Sequence, residues 1–198
     1  ARDDGQVHVL VFKGAGKCFS AGADLNWLAG VRDYSFEENY AEGINLARCF
    51  NEIYSFPKPT LAVVHGASIG GANGFLAACD MAICEHGTIF FFFLVKIGVV
   101  PSCISPYIFK KIGEFKTKEL MLSGKRIKGP EAENCGLVNK SLPPEEFAGY
   151  ANRLVSETLD NQAGNKFSIK SAIENLANNS QMYLSEEYHF GLKYPEAT

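Results

Sequence analysis

Two glycine-rich stretches carry the residues whose types and spacing could do chemistry: Gly14-Ala15-Gly16-Lys17-Cys18-Phe19-Ser20-Ala21-Gly22-Ala23-Asp24 and Gly66-Ala67-Ser68-Ile69-Gly70-Gly71. Each follows a short apolar run and precedes a segment of helical pattern. The leading N–H groups of a helix lack partners inside it, and the helix dipole draws negative charge to that end. Glycine, with no Cβ, lets the backbone come close to a ligand. Two such turns aimed at one point would stabilise an oxyanion with fixed donors. Either turn alone is equally a tight packing turn between a strand and a helix. Neither fits the dinucleotide G-x-G-x-x-G in context, and neither ends in the Gly-Lys-Ser/Thr of a phosphate loop. Ser20 and Ser68 lie outside any G-x-S-x-G elbow. No His, Cys, Asp and Glu share metal-ligand spacing, so no metal is expected. His65 is read as a hydrogen-bonded structural residue, His86 as part of a solvated turn, His8 as part of a buried strand, and His189 has no identifiable partner.

The elements that must position these turns are legible around them. Val7–Phe12 and Thr60–His65 are continuous apolar runs rich in β-branched residues and read as buried strands. Asp24 is placed as the N-cap of an apolar helix. Ser35 and Glu38 form a capping box that opens a helix over Phe36–Tyr54, closed by Pro57 and Pro59. A small-residue helix is expected over Ala72–Cys79, then strands over Asp80–Cys84 and Thr88–Phe93. From Ser105 the pattern is mainly helical, with breaks at Gly113, Gly124-Lys125, Gly129-Pro130 and Pro143-Pro144. Strands that each lead through a glycine turn into a helix describe an α/β protein. We expect one domain over 1–198, with an α/β core over 1–142 and a helical C-terminal region over 143–198.

The totals set bounds. A chain of 198 residues with 46% apolar and 21% charged residues can bury a sizeable core. A net charge of −3 argues against a nucleic-acid binder, and no run of about 18 apolar residues spans a membrane. Lys116, Lys118, Lys125 and Arg126 read as a solvated basic face rather than a phosphate clamp. The six cysteines lack paired spacing and sit mostly in apolar stretches, so they read as buried, reduced thiols. That compartment is the cytoplasm, with the mitochondrial matrix as the alternative.

Gly14–Leu25 resembles the first signature of the crotonase, or enoyl-CoA hydratase/isomerase, family. Gly66–Ala72 followed by Ala78-Cys79-Asp80 is similar to the second. Lys96–Pro101, Ile104-Ser105-Pro106-Tyr107, Leu122-Ser123-Gly124 and Ala132–Val138 follow in the family's order, so the resemblance covers about residues 7 to 160. It implies an α/β, crotonase-like ββα superhelix with a helical C-terminal region, assembled as a homotrimer or hexamer. It implies an acyl-CoA substrate, coenzyme A entering as part of that substrate with no separate cofactor. The thioester carbonyl would sit between the backbone amides of Ala23 and Gly71. Lys17 would lie near the CoA phosphates, with Ala21, Asp24, Leu25 and Gly70 along the ligand. Trp27, Leu28, Tyr34 and Phe36 would form a mobile flap over the acyl chain; from the residues alone they are equally ordinary core. Ala21–Trp27 with Ile-Ser-Pro-Tyr is most similar to hydratases of branched enoyl-CoA substrates, such as 3-methylglutaconyl-CoA. The N-terminal part of a complete member, which would add strands and CoA contacts, is expected to be missing, and Lys193–Thr198 reads as a frayed tail or the start of a further segment.

The sequence departs from the family where proton transfer would occur. The family's glutamates fall at Gly74 and Leu94 here, and Phe90–Phe93 stands where Phe-Gly-x-x is typical. Losing a general acid or base costs roughly 10²–10⁴ in rate. Three alternatives stay open: a hydratase with proton transfer from elsewhere, a CoA-ester decarboxylase whose proton comes from water or Cys103, and a catalytically silent acyl-CoA-binding subunit.

Overall fold

The computed structural model describes residues 1–31, 33–93, 96 and 100–160. Seven strands and six helices are described: β1 (Leu10–Lys13), α1 (Leu25–Val31), α2 (Phe36–Tyr54), β2 (Thr60–Val64), β3 (Ala67–Ile69), α3 (Ala72–Ala78), β4 (Met81–Glu85), β5 (Ile89–Phe91), α4 (Ser105–Ser123), β6 (Arg126–Lys128), α5 (Gly129–Asn134), β7 (Lys140–Leu142) and α6 (Pro144–Asp160). One sheet is all parallel in the order β1-β2-β4-β7; the other runs β3-β5-β6, with β3 and β5 parallel and β6 antiparallel.

The apolar run of β2 is explained by its place. All five residues are buried, and alternate side chains enter two different cores. Ala62 and Val64 join Phe50, Leu76, Ile104, Ile108 and Leu120 from α2, α3 and α4. Leu61 and Val63 join Phe147 and Ala151 of α6. A parallel strand covered on both faces has no polar side to show, hence the absence of alternation. The start of β2 is tied to the end of α3: Asp80 accepts from the Thr60 amide at 2.8 Å and its hydroxyl at 2.9 Å.

Helix ends follow their local chemistry. Ser35 accepts from the Glu38 amide at 3.2 Å, and the Glu38 carboxylate accepts from the Ser35 amide at 2.7 Å, as the capping box requires. Gly124 closes α4 in the left-handed region, φ 55°, with its N–H donating to the Leu120 carbonyl. Gly113 interrupts the helical run of α4, as expected: at φ 72°, ψ 171° its backbone is not helical and the helix kinks there.

Several expectations are corrected. The strand placed at Val7–Phe12 is Leu10–Lys13 and only half-buried, because β1 lies at the edge of the described sheet; His8 precedes it and is exposed. Three strands of three residues each, β3, β6 and β7, were not expected. They are too short for a hydrophobic period, and β6 and β7 carry lysines and an arginine. Cys79 and Cys84 are buried and Cys18, Cys103 and Cys135 partly so, but Cys49 is exposed; none of the six is in a disulfide. Leu94, His189 and the tail Lys193–Thr198 lie outside the described residues.

The phenylalanine run is accommodated by alternation. Phe90 and Phe92 are buried in the core. Phe91 points to the other side, where it meets Phe93 at 6.0 Å between ring centroids and lies under Arg126 at 4.7 Å and Lys96 at 5.8 Å.

Candidate acyl-binding site

The two glycine turns are brought together by backbone pairing. The Phe19 amide donates to His65 O at 2.8 Å, the Ser20 amide to Ala67 O at 3.0 Å, and the Ile69 amide to Ser20 O at 3.2 Å. Ser20 and Ser68 form a parallel bridge. Advancing three residues from that bridge along each turn reaches Ala23 and Gly71. Among the described residues, neither of these amides has a hydrogen-bond acceptor. Gly70 is held behind Gly71, donating to Phe91 O at 2.8 Å, and the buried Asn73 donates to the same carbonyl at 3.1 Å.

Glycine is required at Gly66. Its φ is +65°, and a Cβ there would overlap the Lys17 carbonyl oxygen and come within 3.0 Å of the Cys18 Cα. The second turn thus lies directly against the first. His65 contributes a structural bond, Nε2 to Gly16 O at 3.1 Å, as expected. Asp24 caps α1, accepting from the Asn26 amide at 2.7 Å and the Trp27 amide at 3.3 Å.

Lys17, Ala21, Ala23 and Asp24 are exposed, Gly71 is half-buried, and Gly70 and Gly74 are buried. Nothing is described of the Leu25 side chain. Trp27, Tyr34 and Phe36 are exposed, Phe36 at 78%, which overturns the ordinary-core alternative for them. The basic group near α4 is paired: Lys116 with Glu119 at 2.8 Å, Lys118 with Glu114, and Lys125 with Glu131 at 2.6 Å. These exposed pairs make a solvated face.

Gly74 sits in the first turn of α3 with no room for a side chain. A Cβ there would overlap Ile104 Cγ2 and come within 2.9 Å of both Ile104 Cβ and Phe50 Cε1. Neither Ile104 nor Phe50 stood out in the sequence as a site residue; both look like routine core. Cys103, next along, is half-buried and donates from Sγ to Gly43 O at 3.7 Å. Tyr107 packs against Phe50 at 6.2 Å, and burial pushes its phenol above the ordinary range. Buried Asn73 Oδ1 and Ser68 Oγ have no partner among the described residues. An asparagine inside an otherwise small and apolar helix was the available signal for the first.

The family model for enoyl-CoA hydratase/isomerase matches residues 1–194. The chain belongs to the enoyl-CoA hydratase/isomerase family. A Thermus thermophilus protein named for enoyl-CoA hydratase is 37% identical over 158 residues, 80% of this chain and 62% of that protein. The peroxisomal Delta(3,5)-Delta(2,4)-dienoyl-CoA isomerase of Arabidopsis thaliana is 31% identical over 144 residues, 68% of this chain and 52% of that one. A Legionella pneumophila structure named for enoyl-CoA hydratase/isomerase (crotonase) superposes with a TM-score of 0.76 at 32% identity, covering 97% of this chain and 80% of that chain. The fold is therefore of the crotonase type, a mixed α/β core with a parallel sheet and α6 following it. The chain spans between half and two thirds of the length of these two curated relatives.

Proposed function

We propose that the chain holds the carbonyl oxygen of an acyl-CoA thioester between the amides of Ala23 and Gly71 and adds water to a 2-enoyl-CoA. The observation that carries this is a pair of backbone amides without acceptors among the described residues, on two turns zipped together at Ser20 and Ser68. In hydration the water oxygen bonds to C3, the C2–C3 π electrons move toward the thioester, and negative charge gathers on its carbonyl oxygen. A proton then enters at C2, and the proton left on the added water passes to a base. Two fixed donors stabilise that charge more than they stabilise the neutral substrate, which lowers the barrier. Lys17 is exposed and free to meet the CoA phosphates, with Ala21, Asp24, Leu25 and Gly70 along the ligand. Coenzyme A is part of the substrate. A branched acyl group, a homotrimeric or hexameric assembly, and a cytoplasmic or matrix location belong to the same proposal.

A second reaction is favoured by the closure at Gly74, where a carboxylate does not fit. Decarboxylation of a malonyl-type CoA ester needs no base at that position. The C2–carboxylate bond breaks, carbon dioxide leaves, its bonding electrons form the enolate at the same oxygen, and a proton from water or Cys103 completes C2.

Following the enoyl-thioester absorbance of crotonyl-CoA and of 3-methyl-branched enoyl-CoAs tests the first reaction, with turnover expected. Gly71 has φ −59°, within the range that proline fixes, so Gly71→Pro removes the amide hydrogen. Turnover should fall roughly 10²–10³-fold with the folded circular-dichroism spectrum retained. Carbon dioxide release from malonyl-CoA without hydration would replace the first reaction by the second. Acyl-CoA binding with neither would mean a silent subunit.

A further inference from the structure

Gly74 is a helical glycine in a buried turn, and at such a site alanine would ordinarily be better, since glycine carries an entropic cost. The structure says why alanine is absent. The space that a Cβ would need is filled by Ile104, at the N-cap of α4, and by the ring of Phe50 on α2. Ile104 is 2% exposed and Phe50 fully buried. The overlapping atoms of Ile104 are Cγ2 and Cβ itself, and a β-branched side chain is stiff at χ1, so it cannot swing aside. The Phe50 ring is wedged edge-on against Phe75 at 5.1 Å. The neighbouring helices offer a contrast: Gly43 of α2 and Gly30 of α1 have nothing within 4 Å of a built Cβ.

We propose that Ile104 is the steric gate on position 74: it keeps this one point on the first turn of α3, three residues past the Gly71 amide, free of any side chain. A proton-carrying residue at 74 then becomes possible only when Ile104 is cut back. The two positions form one unit, so that changing either alone is unproductive. Only the consequence for activity rests on the hydratase function proposed above.

A stability cycle tests the gate directly. Gly74→Ala should lower Tm by several degrees, whereas Gly43→Ala, at an open helical site, should raise it slightly. In an Ile104→Ala background, which removes Cγ2 but keeps Cβ and the Phe50 ring, the loss on Gly74→Ala should become clearly smaller. Equal effects of Gly74→Ala in the two backgrounds would overturn the proposal, as would a Gly74→Ala protein as stable as the parent. The activity arm uses Gly74→Glu with Ile104→Ala and crotonyl-CoA. Turnover should exceed that of Ile104→Ala at least tenfold, and its pH profile should gain an acidic limb absent from Ile104→Ala, where the new carboxylate protonates and ceases to act as base. A smaller loss in the Ile104→Ala background without the gain in turnover leaves the gate standing and counts against hydration. The same gain from Gly74→Glu with Ile104 intact would overturn the gate.

Discussion

Gly66 is the residue on which the relation between the two turns depends. Its positive φ suits glycine alone, and its missing Cβ is the gap into which the Lys17 carbonyl fits. Gly66→Ala combines left-handed backbone strain with overpacking against main chain that cannot rotate away. The cost should be roughly 2–5 kcal/mol, read as a lower urea midpoint. Because the displaced loop leads to Ala23, any turnover should fall with it, even at temperatures where the variant is fully folded. The same logic of missing atoms applies at Gly74, but there the obstacle is a side chain and is removable, which is what makes that position open to redesign.

The element most exposed to a simple test is α2. Its start is held by the reciprocal Ser35–Glu38 bonds, and Ser35→Ala removes one side of the box. Tm should drop by roughly 2–4 °C. The Glu38 carboxyl is held below its ordinary value of 4.5, first by the Ser35 backbone bond and then by the Ser35 hydroxyl. A carboxyl depressed in the folded state contributes stability above its unfolded pKa and loses it as pH falls through the folded value. The stability gap between parent and Ser35→Ala should therefore be full at neutral pH and narrow below about pH 4.5, as thermal melts across that range would show. At α3 the relevant property is shortness. Seven residues with six buried leave little to hold it but packing, so the Asn73 and Gly70 bonds to Phe91 O fix where its first turn points.

Over the whole molecule, the two cores on either face of the parallel sheet sort the cysteines by reactivity. Burial pushes the Cys84 thiol up to about 12, Cys79 is equally enclosed, and Cys49 lies on the exposed side of α2. Since the thiolate is the reactive form, an aromatic disulfide reagent at pH 8 should label Cys49 within the first minutes. Cys79 and Cys84 should react only as the protein unfolds, at the unfolding rate. Fast labelling of Cys84 in native protein would mean that the β4 core is not closed. The sheet order also places β1 at an edge, the reason its apolar run is less covered than that of β2.

Much of this was written in local chemistry. A capping box needs only Ser35 and Glu38 three residues apart, a doubly covered strand needs only the run Thr60–Val64, and the signatures around Gly14–Leu25 and Gly66–Ala72 carry the family on their own. Those features depend on neighbours in the chain, so the sequence by itself determined the family, the α/β class and the two turns that make the candidate site. Contacts between distant residues were not legible there. The three-residue strands β3, β6 and β7 exist only through pairing with segments distant in sequence, β3 and β6 with β5, and β7 with β4. Ile104 reads as an ordinary core isoleucine until α4 is laid across α3, and only then is Gly74 seen to be glycine for lack of space. Tertiary structure decided that point because steric exclusion is a property of two surfaces meeting, and positions 74 and 104 meet only in the folded chain.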